Sequence, residues 1–487
     1  MFRVEAKIAL SPDNINLATD VYEPKLATTT KQNDGVCIRR APMKIAFIIQ
    51  RYGAEILSGS EHHCRLIAEN LSVQHEIEVL TTCAKNNTTW RNEYPEGTDR
   101  IRGVTVRRFA NSRTRNLETF NTYSNWIFNN PHTGKDEEEW VQQQGPWCPA
   151  LIEHLEQKNK SYDALIFFTY LYAPTVLGLR VNPKRSILVP NAHDEPSIHL
   201  EIYKDVFGLP ASIAFNTKVE RGFLRNHFSI TAKTQEIIGC GVELPPDLDP
   251  KLGIQTRTEE TENGSTGSSN AMFPSSSAQG IAFRRRHRLY GPFSFYDALI
   301  DQGKGCEELI EYFGNYVNNY GNATLALTGI KLMTIPEAPF IRLAGILSPT
   351  DRREALEAAT VVIVPSPNES LSLLALEAFA VGTPVLANAQ SDVLTDHCQR
   401  SNAGLYYGSR EEFVECLRLL VHNSELRATM GRNGQAYVRD NFGWNIILDK
   451  YDRMIKAVSG RRRRKTSRNT KGRQRGEALH SRRRSKS

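Results

Sequence analysis

From Lys44 onward, short apolar runs alternate with stretches whose apolar residues recur at helical spacing. IAFIIQ reads as a buried strand, followed by the turn YGAEILSGSE and a helix with Leu66, Ile67 and Leu71 on one side. HEIEVLTT, GVTVRRF, YDALIFFTY, SILVPNAH and ASIAFNT read as further strands, separated by helical or irregular segments. Such alternation predicts a parallel sheet covered on both faces, with ligands bound beyond the carboxyl ends of the strands. The pattern lapses near Leu252, where IQTRTEETENGSTGSSNAMFPSSSAQG offers little to bury. It resumes at Gly291 with strand FSFYDALI, helix CEELIEYFGNYVNNY and strands ATLALTG and IRLAG. Helix DRREALEAA, strand VVIVPS, a helix through Glu377 and strand TPVLAN follow, then helices EEFVECLRLLV and WNIILDKYDRMIKAV.

This rhythm divides the 487 residues into two α/β domains, 43–247 and 288–443. An extension (1–42) precedes them, a disordered linker (248–287) separates them, and a last helix (444–458) and a disordered tail (459–487) follow. The net charge of +7 belongs to that tail: residues 461–487 hold thirteen Lys or Arg and one acid, +12, which leaves −5 elsewhere. Such a tail either attracts an anionic membrane surface or is a solvated extension; without aromatic residues, specific nucleic-acid binding is not expected. The eight cysteines form no C-x-x-C pair, which argues against a zinc site or a disulfide framework. No run approaches the roughly 18–20 apolar residues of a membrane span, and the N-terminus lacks the apolar core of a signal peptide. A cytoplasmic protein is expected, peripheral at the inner membrane face if the tail binds lipid.

The stretch PSPNESLSLLALEAFAVGTPV, residues 365–385, carries two carboxylates and no other charge. Either Glu369 and Glu377 are ordinary surface charges, or the apolar residues around them aim them at a ligand. Strand VVIVPS ends at Pro365–Ser366, and Ser372 suits an N-cap position. Glu369 then lies at the strand's carboxyl end, and Glu377 more than one turn into the helix. Leu373, Leu376 and Ala380 form a core face that holds both toward one crevice. The amides at the helix start offer a phosphate site, and carboxylates accept hydrogen bonds from sugar hydroxyls. A nucleotide-sugar has that distribution of groups.

The strand ending in Pro-Ser, the E-S-L…L-E-A-F-A helix and Gly382-Thr383-Pro384-Val385 resemble the signature of retaining glycosyltransferase family 4, within group 1 and of bacterial type. The resemblance covers most of residues 43–458. It implies the GT-B fold, two Rossmann-like α/β domains facing across a cleft, with the first on the acceptor side and the second binding nucleotide-sugar. It implies that Glu369 contacts the donor sugar, that Glu377 holds the ribose, and that backbone amides of Leu371, Ser372 and Leu373 contact sugar and phosphate. FYDALIDQGKGCEEL matches the family's diphosphate clamp at Lys304 and Gly305. Ala298 and Leu299, however, stand where the family has Gly-Arg, and Asp297 stands on a normally apolar strand. A guanidinium lost from such a site weakens donor binding about tenfold to over a hundredfold.

In the first domain, SGSEHH stands at the family's Gly-Gly-x-Glu turn, so Gly59 and Ser60 form either a phosphate or acceptor loop or a plain turn. His193, in VPNAHDEP, matches a family histidine beside donor sugar and acceptor. It acts either as a positioning or polarising group or as a structural cap of its loop. Asp194 and Glu195 either bind acceptor hydroxyls or orient the loop. The last helix resembles the family's helix that crosses back onto the first domain.

The leading expectation is a metal-independent retaining hexosyltransferase. Its donor is a nucleotide-diphosphate sugar, a substrate rather than a cofactor, and its acceptor a glycan or lipid-linked molecule. The alternative is a diverged, weakly active or non-catalytic GT-B protein that binds nucleotide-sugar or glycan. An adaptor acting through the basic tail is a third reading.

Overall fold

Each apolar run of the first half becomes a strand in the computed structural model, which describes residues 41–56, 59–245, 278–321 and 323–460. The expected extension up to residue 40, the linker from 246 to 277 and the basic tail from 461 lie outside the described residues, as do Ser58 and Cys37. The first lobe runs β1 (Lys44–Ile48), α1 (Gly59–Leu71), β2 (Glu76–Thr82), β3 (Gly97–Ile101) and β4 (Val104–Phe109). Helices α2 (Leu117–Asn129), α3 (Gly134–Gln144) and α4 (Pro149–Lys158) lead to β5 (Ala164–Phe168) and α5 (Ala173–Gly178). It closes with β6 (Ser186–Val189), α6 (Ile202–Gly208), β7 (Ser212–Phe215), α7 (Lys218–His227) and β8 (Thr234–Ile237). The sheet order is β3-β4-β2-β1-β5-β6-β7-β8, with only β3 antiparallel.

The second lobe begins earlier than its sequence predicts. Helix α8 (Ala278–Arg286) occupies the end of the segment expected to be linker. Phe283 is fully buried and lies against Phe293, and Arg284 donates to the carbonyls of Ala358 and Gly291. One aromatic anchor and a half-buried guanidinium thus fix a helix in a segment expected to be linker. Then come β9 (Phe293–Asp297), α9 (Cys306–Tyr320), β10 (Thr324–Thr328), β11 (Ile341–Gly345) and α10 (Pro349–Ala358). They are followed by β12 (Val361–Val364), α11 (Leu373–Val381), β13 (Val385–Asn388), α12 (Asp392–Ser401) and β14 (Gly404–Tyr407). The chain continues through α13 (Arg410–His422) and α14 (Ser424–Phe442) to α15 (Trp444–Val458). This sheet is wholly parallel, in the order β11-β10-β9-β12-β13-β14.

β1, β5, β9 and β12 are buried along nearly their whole length, as parallel strands covered on two faces must be. Strand order reverses between β1 and β5 in one sheet and between β9 and β12 in the other. Those are the two points where a crevice opens at the carboxyl edge.

Helix α15 packs back onto the first lobe. Its Ile447, Tyr451, Met454 and Ile455 join the core that contains Ile45, Phe47 and Ile67. Lys450 donates to the Ile237 carbonyl at 2.9 Å, and His75 meets Asp452 at 2.7 Å. Beside its start, Val242 N–H donates to the Phe442 carbonyl at 3.1 Å. The described cysteines are all free thiols, buried apart from Cys416, which is half-buried. Among the described residues, no helix is long and apolar enough to cross a membrane.

Candidate active site

The carboxyl rim of the second sheet collects most of the residues singled out in the sequence. Gly305 starts α9 with φ +75° and ψ +18°, a left-handed conformation. A Cβ there would sit 2.4 Å from the Pro365 carbonyl oxygen, so only glycine lets α9 approach the end of β12 this closely. The preceding residue is fixed by a bond from Lys304 N–H to Asp301 Oδ1 at 2.7 Å. Lys304 Nζ thereby reaches Glu369 Oε1 at 3.0 Å, uniting two residues that lie 65 positions apart.

Glu377 projects from the second turn of α11 to the same rim, where Arg352 of α10 meets it, Nη1 to Oε2, at 2.5 Å. The Arg352 Nε also bonds Asp297, whose other oxygen accepts from Thr328 Oγ1 at 2.5 Å. Asp297 is therefore not a stray charge in an apolar strand but the middle of a chain Thr328–Asp297–Arg352–Glu377. Burial raises the Glu377 carboxyl above its ordinary range, while Arg352 pulls it back. Burial likewise acts against the charge on Arg352, but Glu377 and Asp297 hold the guanidinium well above its usual value.

Between the two glutamates lies the open start of α11. Ser372 precedes it as expected, but not as a side-chain cap: it adopts φ +60° and ψ +75°, and its hydroxyl makes no capping bond. The residue is buried, and the hydroxyl has no partner among the described residues. A left-handed non-glycine residue with an orphaned hydroxyl is strained and unsatisfied, a combination that clusters at ligand sites. Leu371 is tied from behind, its carbonyl accepting from His397 Nε2 at 3.0 Å. Because a carbonyl only accepts, that nitrogen carries the proton, and His397 Nδ1 accepts from the Tyr437 hydroxyl at 3.0 Å. Burial lowers the His397 pKa to about 4.

The first lobe presents α1 and the loops after β1, β5 and β6. No described atom lies within 4 Å of the position a Cβ on Gly59 would take. Ser60 Oγ donates to Glu61 Oε2 at 2.7 Å, and Glu61 Oε1 is paired with Arg51 at 2.7 Å. His62, next in α1, is half-buried. Burial, then Arg65 and then Arg352 of the second lobe, push its pKa down to about 3.

His193 is only half-buried and lies 3.8 Å from Glu195, whose other oxygen takes the Tyr170 hydroxyl. Asp194 is engaged by His199 at 2.8 Å. The His193 loop is anchored instead by Glu220, which accepts from Ala192 N–H at 2.7 Å and Asn216 N–H at 2.6 Å. Burial raises the Glu220 carboxyl to about 8 against those two bonds. Among the described residues, no hydrogen bond or ion pair joins His193, Gly59 or Ser60 to the second lobe. Thus Lys304 with Glu369, and the frame around Leu371–Leu373, come together; the first-lobe residues stand apart from them. Arg352, His62, His397 and Glu220 were missed in the sequence because nothing in their local spacing separates them from ordinary helix residues.

Known proteins resemble this chain in sequence and in fold. The family model for glycosyl transferases group 1 matches residues 298–437, most of the second lobe. A D-inositol 3-phosphate glycosyltransferase of Gordonia bronchialis is 30% identical over 120 residues, 23% of this chain and 26% of that protein. The chain thus aligns with only about a quarter of that relative's length. Among solved structures, the sucrose-phosphate synthase of Thermosynechococcus elongatus superposes with TM-score 0.59 at 15% identity. That match covers 85% of this chain and 99% of the other. Anabaena HepE in complex with UDP and glucose gives TM-score 0.58 at 15% identity, covering 85% and 99%. The fold is GT-B, and its second lobe carries the group 1 glycosyltransferase match.

Proposed function

We propose that this protein is a retaining glycosyltransferase that moves a hexosyl group from a nucleoside-diphosphate sugar to a glycan or lipid-linked acceptor. The observation that carries this reading is the frame at the second rim. Two carboxylates, each already held by a cation, flank a helix start whose Ser372 hydroxyl is buried and unpartnered. In this reading Glu377 accepts from the ribose hydroxyls and Glu369 from the donor sugar. The amides of Leu371, Ser372 and Leu373 take phosphate and sugar oxygens, and Lys304 faces the diphosphate. Lys304 and the helix start supply positive potential to the departing diphosphate, so the reading invokes no metal. The acceptor oxygen attacks the anomeric carbon on the face the diphosphate leaves, and its proton passes to a phosphate oxygen. The carbon–oxygen bond to phosphate breaks as the new glycosidic bond forms, leaving nucleoside diphosphate. His193 polarises or positions the acceptor.

On the acceptor side, a cavity of about 270 Å³ lies at the rim beyond β4, lined by Trp90, Trp147, Arg113, Asn116 and Gln142 among others. Its half-buried Trp147 and its amides suit a sugar ring. This supports a carbohydrate acceptor.

Thermal-shift measurements with UDP-, GDP-, ADP- and dTDP-sugars, followed by donor hydrolysis assays, test the proposal. At least one donor should stabilise the protein; stabilisation by none refutes the reading. Glu377→Ala should weaken donor binding, whereas Glu369→Ala should mainly lower turnover. A second reading, a non-catalytic nucleotide-sugar-binding protein, draws on the half-buried Ala298 and Leu299, which give the end of β9 no cation of its own. It predicts donor binding with no hydrolysis or transfer.

A further inference from the structure

The rim of the second sheet is short of positive charge for the ligand proposed above. Asp297, Glu369 and Glu377 meet only Lys304 and Arg352 in the pairs described, and a nucleoside diphosphate adds at least two further negative charges. The end of β9 offers no cation of its own, reading Asp297-Ala298-Leu299. A guanidinium is nevertheless present beside it, supplied from another element. Arg352 sits in the first turn of α10, which starts at the same carboxyl edge, with Ser348 as its cap.

Three features distinguish this arginine from a structural ion pair. Its side chain keeps 25% of its surface exposed although it bridges Asp297 and Glu377, themselves 14% and 22% exposed. Its Nε and Nη1 are engaged, but its Nη2 makes no hydrogen bond among the described residues, so the planar fork retains donors for a further anion. Its charge also helps keep the imidazole of His62, in the first lobe, neutral. Bound to Asp297 at the end of β9 and to Glu377 in α11, the guanidinium is held at the carboxyl rim. Its neighbour Arg353, by contrast, is spent on Glu357 one turn along the same helix.

We propose that Arg352 is a diphosphate-binding residue of the donor site, poised on Asp297 and Glu377 until the ligand arrives. Resting on the function proposed above, this assigns the second cation of the site to α10. Asp297 and Glu377 hold the guanidinium at the rim, and its remaining donors engage phosphate oxygens. Glu377 then serves two partners, ribose on one side and Arg352 on the other.

The test separates the phosphates from the nucleoside. Wild type, Arg352→Lys and Arg352→Gln are titrated with UDP, GDP and ADP and with uridine, guanosine and adenosine, weak binding being read by ligand-detected NMR. For the base the wild type prefers, Arg352→Gln should lower diphosphate affinity about tenfold to a hundredfold, the span expected for bonds to a charged group. Nucleoside affinity should change less than about twofold, and Arg352→Lys should fall between, since a point charge lacks the fork. The double variant Asp297→Asn with Arg352→Gln removes the charge imbalance and should show the same selective loss if Arg352→Gln alone folds poorly. Equal losses for nucleoside and diphosphate overturn the inference, because they mean that Arg352 only positions Glu377. Unchanged diphosphate affinity overturns it too, while leaving the donor site standing. A wild type that binds no nucleoside diphosphate overturns both proposals together.

Discussion

Lowering the pH from 7 to 5 should destabilise this protein through His397 in particular. The imidazole is 1% exposed, and burial is the main reason its pKa falls to about 4. The bond to the Leu371 carbonyl and the charge of Asp396 oppose that fall, and Arg400 adds to it. In the unfolded chain the group titrates near 6.5, so between pH 6.5 and 4 the unfolded state binds more protons than the folded one. Stability is then fully present above the unfolded pKa and is lost as the pH falls through this window. The linkage integral from pH 7 to 5 gives about 2 kcal/mol for this one histidine. His62 and His63 are also depressed, to about 3 and about 4, and Glu220 is raised to about 8, so the wild-type profile alone is not diagnostic. Comparison with His397→Gln removes them, because they are common to both proteins. Glutamine can still donate to the Leu371 carbonyl. Equilibrium urea unfolding at both pH values, followed by tryptophan fluorescence, should show the variant losing about 2 kcal/mol less than wild type. Equal losses would refute the buried, neutral tautomer that ties down Leu371.

Two glycines give sharper mechanical tests. Gly305→Ala places a Cβ 2.4 Å from the Pro365 carbonyl oxygen at φ +75°, and should lower stability by at least about 2 kcal/mol. It should also weaken binding of the preferred donor, because Lys304 moves with the start of α9; an unchanged melting temperature and affinity would contradict this. Gly241→Ala directs a Cβ to 2.4 Å from the Trp444 ring and should cost about 1–3 kcal/mol, read as a lower melting temperature. A melting temperature equal to wild type would show that Trp444 yields freely.

Whatever buries a continuous apolar face was legible in the sequence. IAFIIQ, YDALIFF and VVIVPS could only be interior strands, and WNIILDKYDRMIKAV kept its apolar residues on one side. The start of α11 was placed correctly at Ser372, but its manner was not: the hydroxyl was expected to cap, and a left-handed backbone leaves it unpartnered instead. Exposed elements were harder to see. β3, the GTDRI edge strand, carries no alternation because almost none of it is buried. α8 was lost because its single aromatic anchor sits in a run of arginines. The cations of the site were least visible of all. In DRREALEAA, Arg352 and Arg353 are adjacent and chemically identical, and only the fold shows that one reaches Asp297, 55 positions back, while the other closes an i,i+4 pair. Asp297 looked like a defect for the same reason, since its partner lies on a different element.

The pairing of Val242 with the Phe442–Gly443 backbone bears on how the molecule can move. The chain leaves the first lobe beside the point where α15 brings it back. That pairing ties the last described residues of the first lobe to the junction of α14 and α15. Any parting of the two carboxyl rims that keeps this pairing leaves Gly239, Leu371 and Phe442, which lie together beside it, in contact. The distance between α1 and α10 would report such a parting. A label on each of those helices would follow it directly.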